Sequence, residues 1–345
     1  MFHPPMLVRR VEPLSGNPAI RIRLSPLRDH GAEPCPRSPG SNHARFDGSD
    51  AVLRVTTDAP VDALDGGFAI VLDRPLHFVL GPDETLARGI AEFCRDAEER
   101  TLGYWQDWTR SINVPVDWQE AVIRAAITLK LCQFEQTGAI VAALTTSIPE
   151  APGTQRNWDY RYCWLRDAAF VVRALNQLSA TRSMEHYLRY VLNVTRQGGR
   201  LQPVYGIRFE RELHERHAPA LAGYEAMGPV RIGNLAWVQE QHDVHGSIVL
   251  ALEQLFFDQR LDRVDRRALF AQLEKVGAAA DAAFGAPDAG IWEFRGRSAP
   301  HTYSALLCWA AVDRLGRIAD SLGAPSAAGW SARAAAMREE LLARA

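Results

Sequence analysis

The spacing of apolar residues changes period once along this chain, and that change limits the fold more than any single residue does. Before about residue 83 apolar side chains alternate: Ile20, Ile22 and Leu24 interleave Arg21 and Arg23, and Leu53 and Val55 flank Arg54. Alternation sends successive side chains to opposite faces of a strand. A further candidate strand, Phe68 to Val79, is interrupted at Pro75, and the Pro/Gly/Ser-rich stretch from Pro26 to Gly48 reads as a long loop. So few strands make a poor free-standing sandwich, because unpaired edges stay open. The β region therefore reads as incomplete.

After Pro82 the period becomes helical. Asp83 is placed to cap a helix whose apolar positions are Leu86, Ile90, Phe93 and Ala97. Asp117 with Glu120 forms a capping-box pattern for a second helix, with Ile123, Ile127, Leu131 and Phe134 on its buried face. Further helices are expected over about 165–178, 183–195, 236–257, 264–282, 302–321 and 325–345. Long loops at 139–163, 196–235 and 283–301 join them, all rich in Trp, Tyr, Arg, Asp and Glu. Loops of that length inside a compact domain usually carry function.

Composition excludes several classes. With 39 Lys+Arg against 41 Asp+Glu in 345 residues there is no basic excess for nucleic acid. No apolar run approaches the roughly 20 residues of a membrane-spanning helix, and the opening residues lack a signal-peptide pattern. Five scattered cysteines without a C-x-x-C pair read as reduced thiols of a cytoplasmic protein. Nine tryptophans are the compositional oddity; most are expected in the core, although indole faces also stack on sugar rings.

Three segments are candidates for chemistry. Arg156-Asn-Trp-Asp-Tyr-Arg-Tyr-Cys-Trp-Leu-Arg-Asp167 mixes aromatic rings with alternating charge, a combination suited to a neutral polyol; its bland alternative is a salt-bridged loop. In Pro287-Asp-Ala-Gly-Ile-Trp-Glu-Phe-Arg295, Glu293 follows an indole, and a carboxyl packed on apolar rings is held protonated and serves as a general acid. Its bland alternative is a surface Glu paired to Arg295. Gly223 to Asn234 is glycine-rich but has no G-K-[S/T] ending and no preceding strand, so a phosphate loop is disfavoured. The pairs His242/His245 and His214/His217 lack the H-E-x-x-H pattern, and no metal or other cofactor is expected. Cys163 sits among apolar and aromatic residues that keep a thiol protonated, which argues against a nucleophile.

The runs RNWDYRYCWLRDA (156–168), AIVAALTTSIPE (139–150), GPVRIGN (228–234), QHDVHG (241–246) and PDAGIWEFRG followed by HTYSALLCWAAVDRL resemble bacterial members of glycoside hydrolase family 15, the glucoamylase and trehalase family. The resemblance implies a mainly α fold: part of a β-sandwich over 1–82, a linker helix over 83–115, and the first part of an (α/α)6 catalytic barrel, about seven helices, over 116–345. It implies Glu293 as general acid, and Tyr160, Trp164, Arg166, Asp167, Trp292 and Arg231 as residues of a glucose pocket.

Inverting hydrolysis needs a second carboxylate about 6.5–9.5 Å from the acid. The family's base-bearing segment, followed by a C-x-F-W run, is not found in this sequence, which reads as the middle of a longer protein. An open half-barrel would expose helix faces and invite self-association. The resemblance implies an inverting exo-α-glucosidase of glucoamylase type acting on α-glucan oligosaccharides. The alternatives are a trehalase acting on trehalose and a non-catalytic carbohydrate-binding or interaction fragment.

Overall fold

The computed structural model describes residues 5–261 and 265–344, mainly helical with a small β region. The expected helix start at 264 and end at 345 lie outside the described residues. The chain divides into two compact units: one runs to Arg110 and takes back Ala218–Ala222, and the other comprises Ser111–His217 and Gly223–Ala345.

The first unit is built on an antiparallel sheet of β1 (Leu7–Val11), β2 (Arg37–Pro39), β3 (His43–Asp47), β4 (Val52–Thr57) and β5 (Leu76–Pro82), in the order β1-β5-β4-β3-β2. The register pairs Val55 with both Ala44 and Leu80. That places Val55, Ala44 and Phe46 on one face, where they are buried with Cys35, Val61 and Leu64. The stretch from Pro26 to Gly48 is thus not one loop, since it contributes β2 and β3. Only Ala44 and Phe46 carry β3's alternation, a signal too short to stand out among prolines and glycines. Pro75 does end one element, as Ile70–Val71 pairs with Ala19–Ile20 while β5 begins at Leu76. Of the strand expected through Ile22 and Leu24, only Ala19–Ile20 and an isolated bridge from Arg23 to Asp65 form.

Helix α1 spans Ile90–Ser111, so Leu86 lies outside it and Asp83 does not cap it. Asp83 instead accepts from Arg45 Nε at 2.9 Å and lies 3.6 Å from the buried Arg54, answering the two arginines paired across β3 and β4. Helix α2 (Gln119–Leu131) starts beyond Trp118, whose backbone is left-handed at φ 62°, with no side-chain cap from Asp117. Its buried face is also rotated from the expected one: Leu131 is exposed, while Ala126 and Lys130 are buried. Lys130 is tolerated there because its ammonium donates to Gln133 Oε1 at 2.9 Å and Glu135 Oε1 at 2.7 Å.

The second unit's core is formed by α3 (Leu165–Gln177), α4 (Thr181–Arg196), α5 (Asp243–Leu252), α6 (Gln254–Phe257), α7 (Arg266–Ala283), α8 (Thr302–Leu322) and α9 (Ala327–Arg344). The sequence Asp-Val-His-Gly-Ser-Ile-Val-Leu-Ala-Leu of α5 is apolar nearly all round, as a helix packed on several neighbours must be, and α5 touches α3, α7 and α8. The single helix expected over 236–257 is broken into a 3-10 turn at Leu235–Val238, α5 and α6. Asn234 caps the turn through Ala236 N, and Gln239 leaves it in extended conformation, so 239–242 forms a short non-helical strap before α5, with Gln239 lining the cavity described below. No described helix is long and apolar enough to cross a membrane.

Gly246 of α5 marks the closest approach of two helices. A Cβ there would lie 2.3 Å from the backbone oxygen of Leu307 in α8. Replacing a helical glycine by alanine ordinarily gains about 1 kcal/mol, whereas overpacking against backbone costs about 1–3 kcal/mol or more. With the clash on rigid backbone the cost falls at the upper end of that range, and Gly246→Ala should lower the unfolding free energy in urea by about 1–2 kcal/mol. Gly277→Ala, whose Cβ meets side chains alone, the rotatable Leu315 Cδ1 at 2.0 Å and Trp330 Cη2 at 3.3 Å, should cost less. Equal stability of Gly246→Ala and the parent would refute this α5–α8 packing.

Candidate active site

Three loops that the sequence marked as unusually long converge on one cavity of about 530 Å³, within the range of about 300–1,000 Å³ typical of small-molecule sites. The first loop and the start of α3 supply Glu150, Arg156, Trp158, Tyr160, Trp164, Arg166 and Asp167; the end of the second and the 3-10 turn that follows it supply Asn234, Ala236 and Gln239; the third supplies Ile291 to Arg295. Cys163–Trp164 pairs with Val204–Tyr205, which fixes Trp164 where α3 begins. Arg166 and Asp167 then fall in the first turn of that helix.

Glu293 is the point of convergence. Its Oε1 accepts from Trp164 Nε1 at 2.8 Å, Gln241 Nε2 at 2.9 Å and Arg166 Nη2 at 3.4 Å. Gln239 Nε2 donates to its backbone oxygen at 3.2 Å. The sequence led us to expect a carboxyl packed against apolar rings; in the structure the neighbouring indole offers its N–H edge, and two polar side chains join it. The pairing with Arg295 considered for Glu293 does not form, because Arg295 binds Glu215, with Nη2 to Oε2 at 2.5 Å. Glu293 also has a left-handed backbone at φ 53°, a conformation that costs a non-glycine residue about 1–3 kcal/mol and persists only where the surroundings enforce it.

Arg166 is largely buried and faces several partners. Besides Glu293 it donates to Gln241 Oε1 at 2.9 Å and Asp243 Oδ2 at 3.2 Å, and its Nε lies 3.6 Å from Asp167 Oδ2. Asp243 is 1% exposed; burial pushes its carboxyl above the ordinary value, and the charge of Arg166 pulls the other way. Asp167 opens onto the cavity, and loss of hydration there raises its carboxyl too, again opposed by Arg166.

On the other wall, Glu150 gathers Arg156 Nε at 2.8 Å, Trp158 Nε1 at 3.0 Å and Tyr160 OH at 3.3 Å. Tyr160 lies 5.7 Å from Trp164, centroid to centroid, and burial followed by the charge of Glu150 pushes its phenol up to about 12. Trp292 lines the cavity as an exposed ring. Arg231, also expected in the pocket, does not line it: its guanidinium is held by Glu215 Oε1 at 2.8 Å and lies 4.9 Å from the Trp158 ring. Arg295 lies 4.4 Å from the same ring. Burial alone would raise the Glu215 carboxyl, but hydrogen bonding and charge from Arg295, with Arg231, bring it below the ordinary value.

Sequence reasoning passed over Glu150, Glu215, Gln241, Asp243 and Asp288. Glu150 is bound by residues six to ten positions further on, whereas the other four are made significant by partners far along the chain; of these only Asp243, between two helix-spaced histidines, carries a local cue. The glycines of 223–234 serve close backbone approach: a Cβ on Gly233 (φ +81°) would lie 2.0 Å from His214 O. Among the described residues no cluster of His, Cys, Asp or Glu is arranged to hold a metal ion. His245 Nδ1 instead lies 3.0 Å from His242 O. Cys163 is fully buried and its thiol is pushed up to about 12 by burial, as its neighbours implied.

Removing Arg166 should expose this arrangement. Breaking a buried ion pair from one side costs about 3–5 kcal/mol, so Arg166→Ala should destabilise the chain at pH 7. Asp243 then keeps a folded pKa above its ordinary 3.8 with less to oppose the rise. A carboxyl raised on folding penalises the fold fully above its folded pKa and not at all below the unfolded value. The deficit of Arg166→Ala relative to the parent should shrink as pH falls through that window. Denaturant midpoints at pH 7.5 and 5 check this, and a constant deficit would contradict it.

Residues 117–344 match the family model "Glycosyl hydrolases family 15". A trehalase of Mycolicibacterium smegmatis is 36% identical over 259 residues, 73% of this chain and 38% of that protein. A trehalase of Mycobacterium tuberculosis is 36% identical over 249 residues, 70% of this chain and 36% of that protein. One from Thermoplasma volcanium is 35% identical over 225 residues, 65% of this chain and 36% of that protein. The chain thus spans less than two fifths of the length of the curated relatives it matches. The matched region contains every residue of the cavity just described, and the chain belongs to glycosyl hydrolase family 15.

Proposed function

We propose that this chain carries the acid and glucose-holding side of a trehalase, in a family fold whose barrel is of (α/α)6 type. Residues up to 82 belong to its β-sandwich, α1 to the linker, and the helices from α2 onward to the first part of the barrel. The names of the relatives move the reading from α-glucan oligosaccharides to trehalose. The acid and the first glucose pocket are the same for either substrate.

The observation that carries the acid role within this reading is the asymmetry of the Glu293 carboxyl. Three N–H donors converge on Oε1, so an added proton has its place on Oε2. A carboxyl with one oxygen locked by donors and a protonated second oxygen has the form required of a general acid. It delivers that proton to the glycosidic oxygen as the bond to the anomeric carbon breaks. Arg166 and Asp167 present a charged donor and acceptor for glucose hydroxyls, Tyr160 and Trp292 offer ring faces to its C–H groups, and Trp164, almost wholly buried, takes part through the N–H that holds Glu293. Arg231 acts from behind, by fixing Trp158. We assign no residue of this chain to the second carboxylate that inversion requires.

Calorimetry and glucose release with the 345-residue chain, on trehalose and on maltotriose, test the reading. Trehalose should be preferred, and Glu293→Gln should lower any turnover by about 10²–10⁴. Preference for maltotriose would restore the glucoamylase reading, and turnover unaffected by Glu293→Gln would remove Glu293 from its role. Binding of trehalose without turnover would show that these residues supply recognition alone.

A further inference from the structure

The loop that bears Glu293 is closed at its base by a second carboxylate that never reaches the cavity. Asp288 and Ala299 exchange backbone hydrogen bonds at 2.9 and 3.0 Å, making 288–299 a closed loop with Glu293 near its middle. The Asp288 side chain, fully buried, accepts at Oδ1 from Gly290 N at 3.1 Å and faces His301 Nδ1 at 2.8 Å. At Oδ2 it accepts from His242 N at 2.8 Å and Ser304 Oγ at 2.7 Å. His242 immediately precedes α5, and His301 and Ser304 stand at the start of α8. One anion therefore sits where two helix N-termini meet, the end at which a helix favours negative charge.

We propose that Asp288 is a positioning residue for Glu293. It ties the acid-bearing loop to the starts of α5 and α8 and so enforces the left-handed backbone from which the Glu293 carboxyl meets Trp164, Arg166 and Gln241. The strap 239–242 belongs to the same device. His242 N is held by Asp288, and Gln241 and Gln239, one and three residues earlier, hold the Glu293 side chain and backbone. Gly290 permits the close packing, since a Cβ there would lie 2.7 Å from His301 Nε2. The inference rests on the proposed role of Glu293 for its functional meaning, but the geometry it asserts is testable without that role.

Asparagine at 288 is nearly isosteric yet cannot satisfy the site. Each carboxylate oxygen faces one backbone N–H, Gly290 at Oδ1 and His242 at Oδ2, and a backbone donor cannot reverse. Whichever way the amide of Asp288→Asn turns, its NH2 opposes one of them. A buried donor left without an acceptor costs about 1–3 kcal/mol, equivalent to about tenfold or more in local opening. Hydrogen exchange should therefore quicken by about tenfold or more across 289–300 in Asp288→Asn, while the α7 amides keep their protection. Should that variant fail to fold, Ser304→Ala removes only a hydroxyl donor from Oδ2 and should show the same local pattern more weakly. Unchanged exchange in 289–300, or equal acceleration in α7, would overturn the proposal.

The link to Glu293 is read by trehalose calorimetry in a double-mutant cycle. Asp288→Asn should weaken binding by about tenfold with Glu293 present and much less in the Glu293→Gln background. Equal losses in both backgrounds would reduce Asp288 to a structural role. If the parent chain does not bind trehalose, the proposed function falls, and the exchange experiment still decides whether Asp288 holds the loop.

Discussion

Arg166 is the interaction on which the rest of the site depends. Its guanidinium meets Asp243, Glu293, Asp167 and Gln241 from a position that is only 16% exposed. A cation buried to that degree is tolerated only when carboxylates and amide oxygens replace water around it. The same requirement brings the start of α3, the strap before α5 and the 288–299 loop to one place. Residues distant in sequence are thus assembled around a single charge, and the cavity is the space on its open side.

The carboxylates around that charge differ by environment. Asp243 is buried with Arg166 as its ionic partner, and its Oδ1 has no hydrogen-bond partner among the described residues. Asp288 is equally buried but surrounded by donors on both oxygens. Glu293 is partly open to the cavity and holds donors on Oε1. A carboxylate with donors on both oxygens has little left for a ligand, whereas one with donors on a single oxygen keeps acceptor capacity on the other. Side-chain type alone does not distinguish these environments, whereas hydrogen-bond count and exposure do.

The aromatic residues follow similar logic. Trp164 is 2% exposed, yet its N–H reaches Glu293, so it serves core and site together. Trp158 is held by Glu150 at its N–H and approached by two guanidiniums that share Glu215. Cation–π contacts of this kind are worth about 0.5–2 kcal/mol each, enough to hold a ring in one orientation on the cavity wall. Trp292, by contrast, is 73% exposed and keeps most of its face for solvent or a ligand.

The sequence by itself determined that strands precede helices, since that follows from a change of apolar period that each segment carries locally. It also determined the spans of α3, α4 and α8 to within two or three residues, and, through contiguous motifs, the family and six of the residues that line the cavity, Tyr160, Trp164, Arg166, Asp167, Trp292 and Glu293. Only the tertiary structure decided where α1 and α2 begin, because Asp83 answers Arg45 and Asp117 makes no cap. It broke the expected helix at 236–257, because Gln239, Gln241 and His242 are used by Glu293 and Asp288 rather than by a helical ladder. It also withdrew Arg231 from the cavity and made Asp243 and Asp288 central. The physical reason is the same throughout: helix and strand periods are encoded by neighbours a few residues apart, whereas the partner of a buried charge is set by long-range packing.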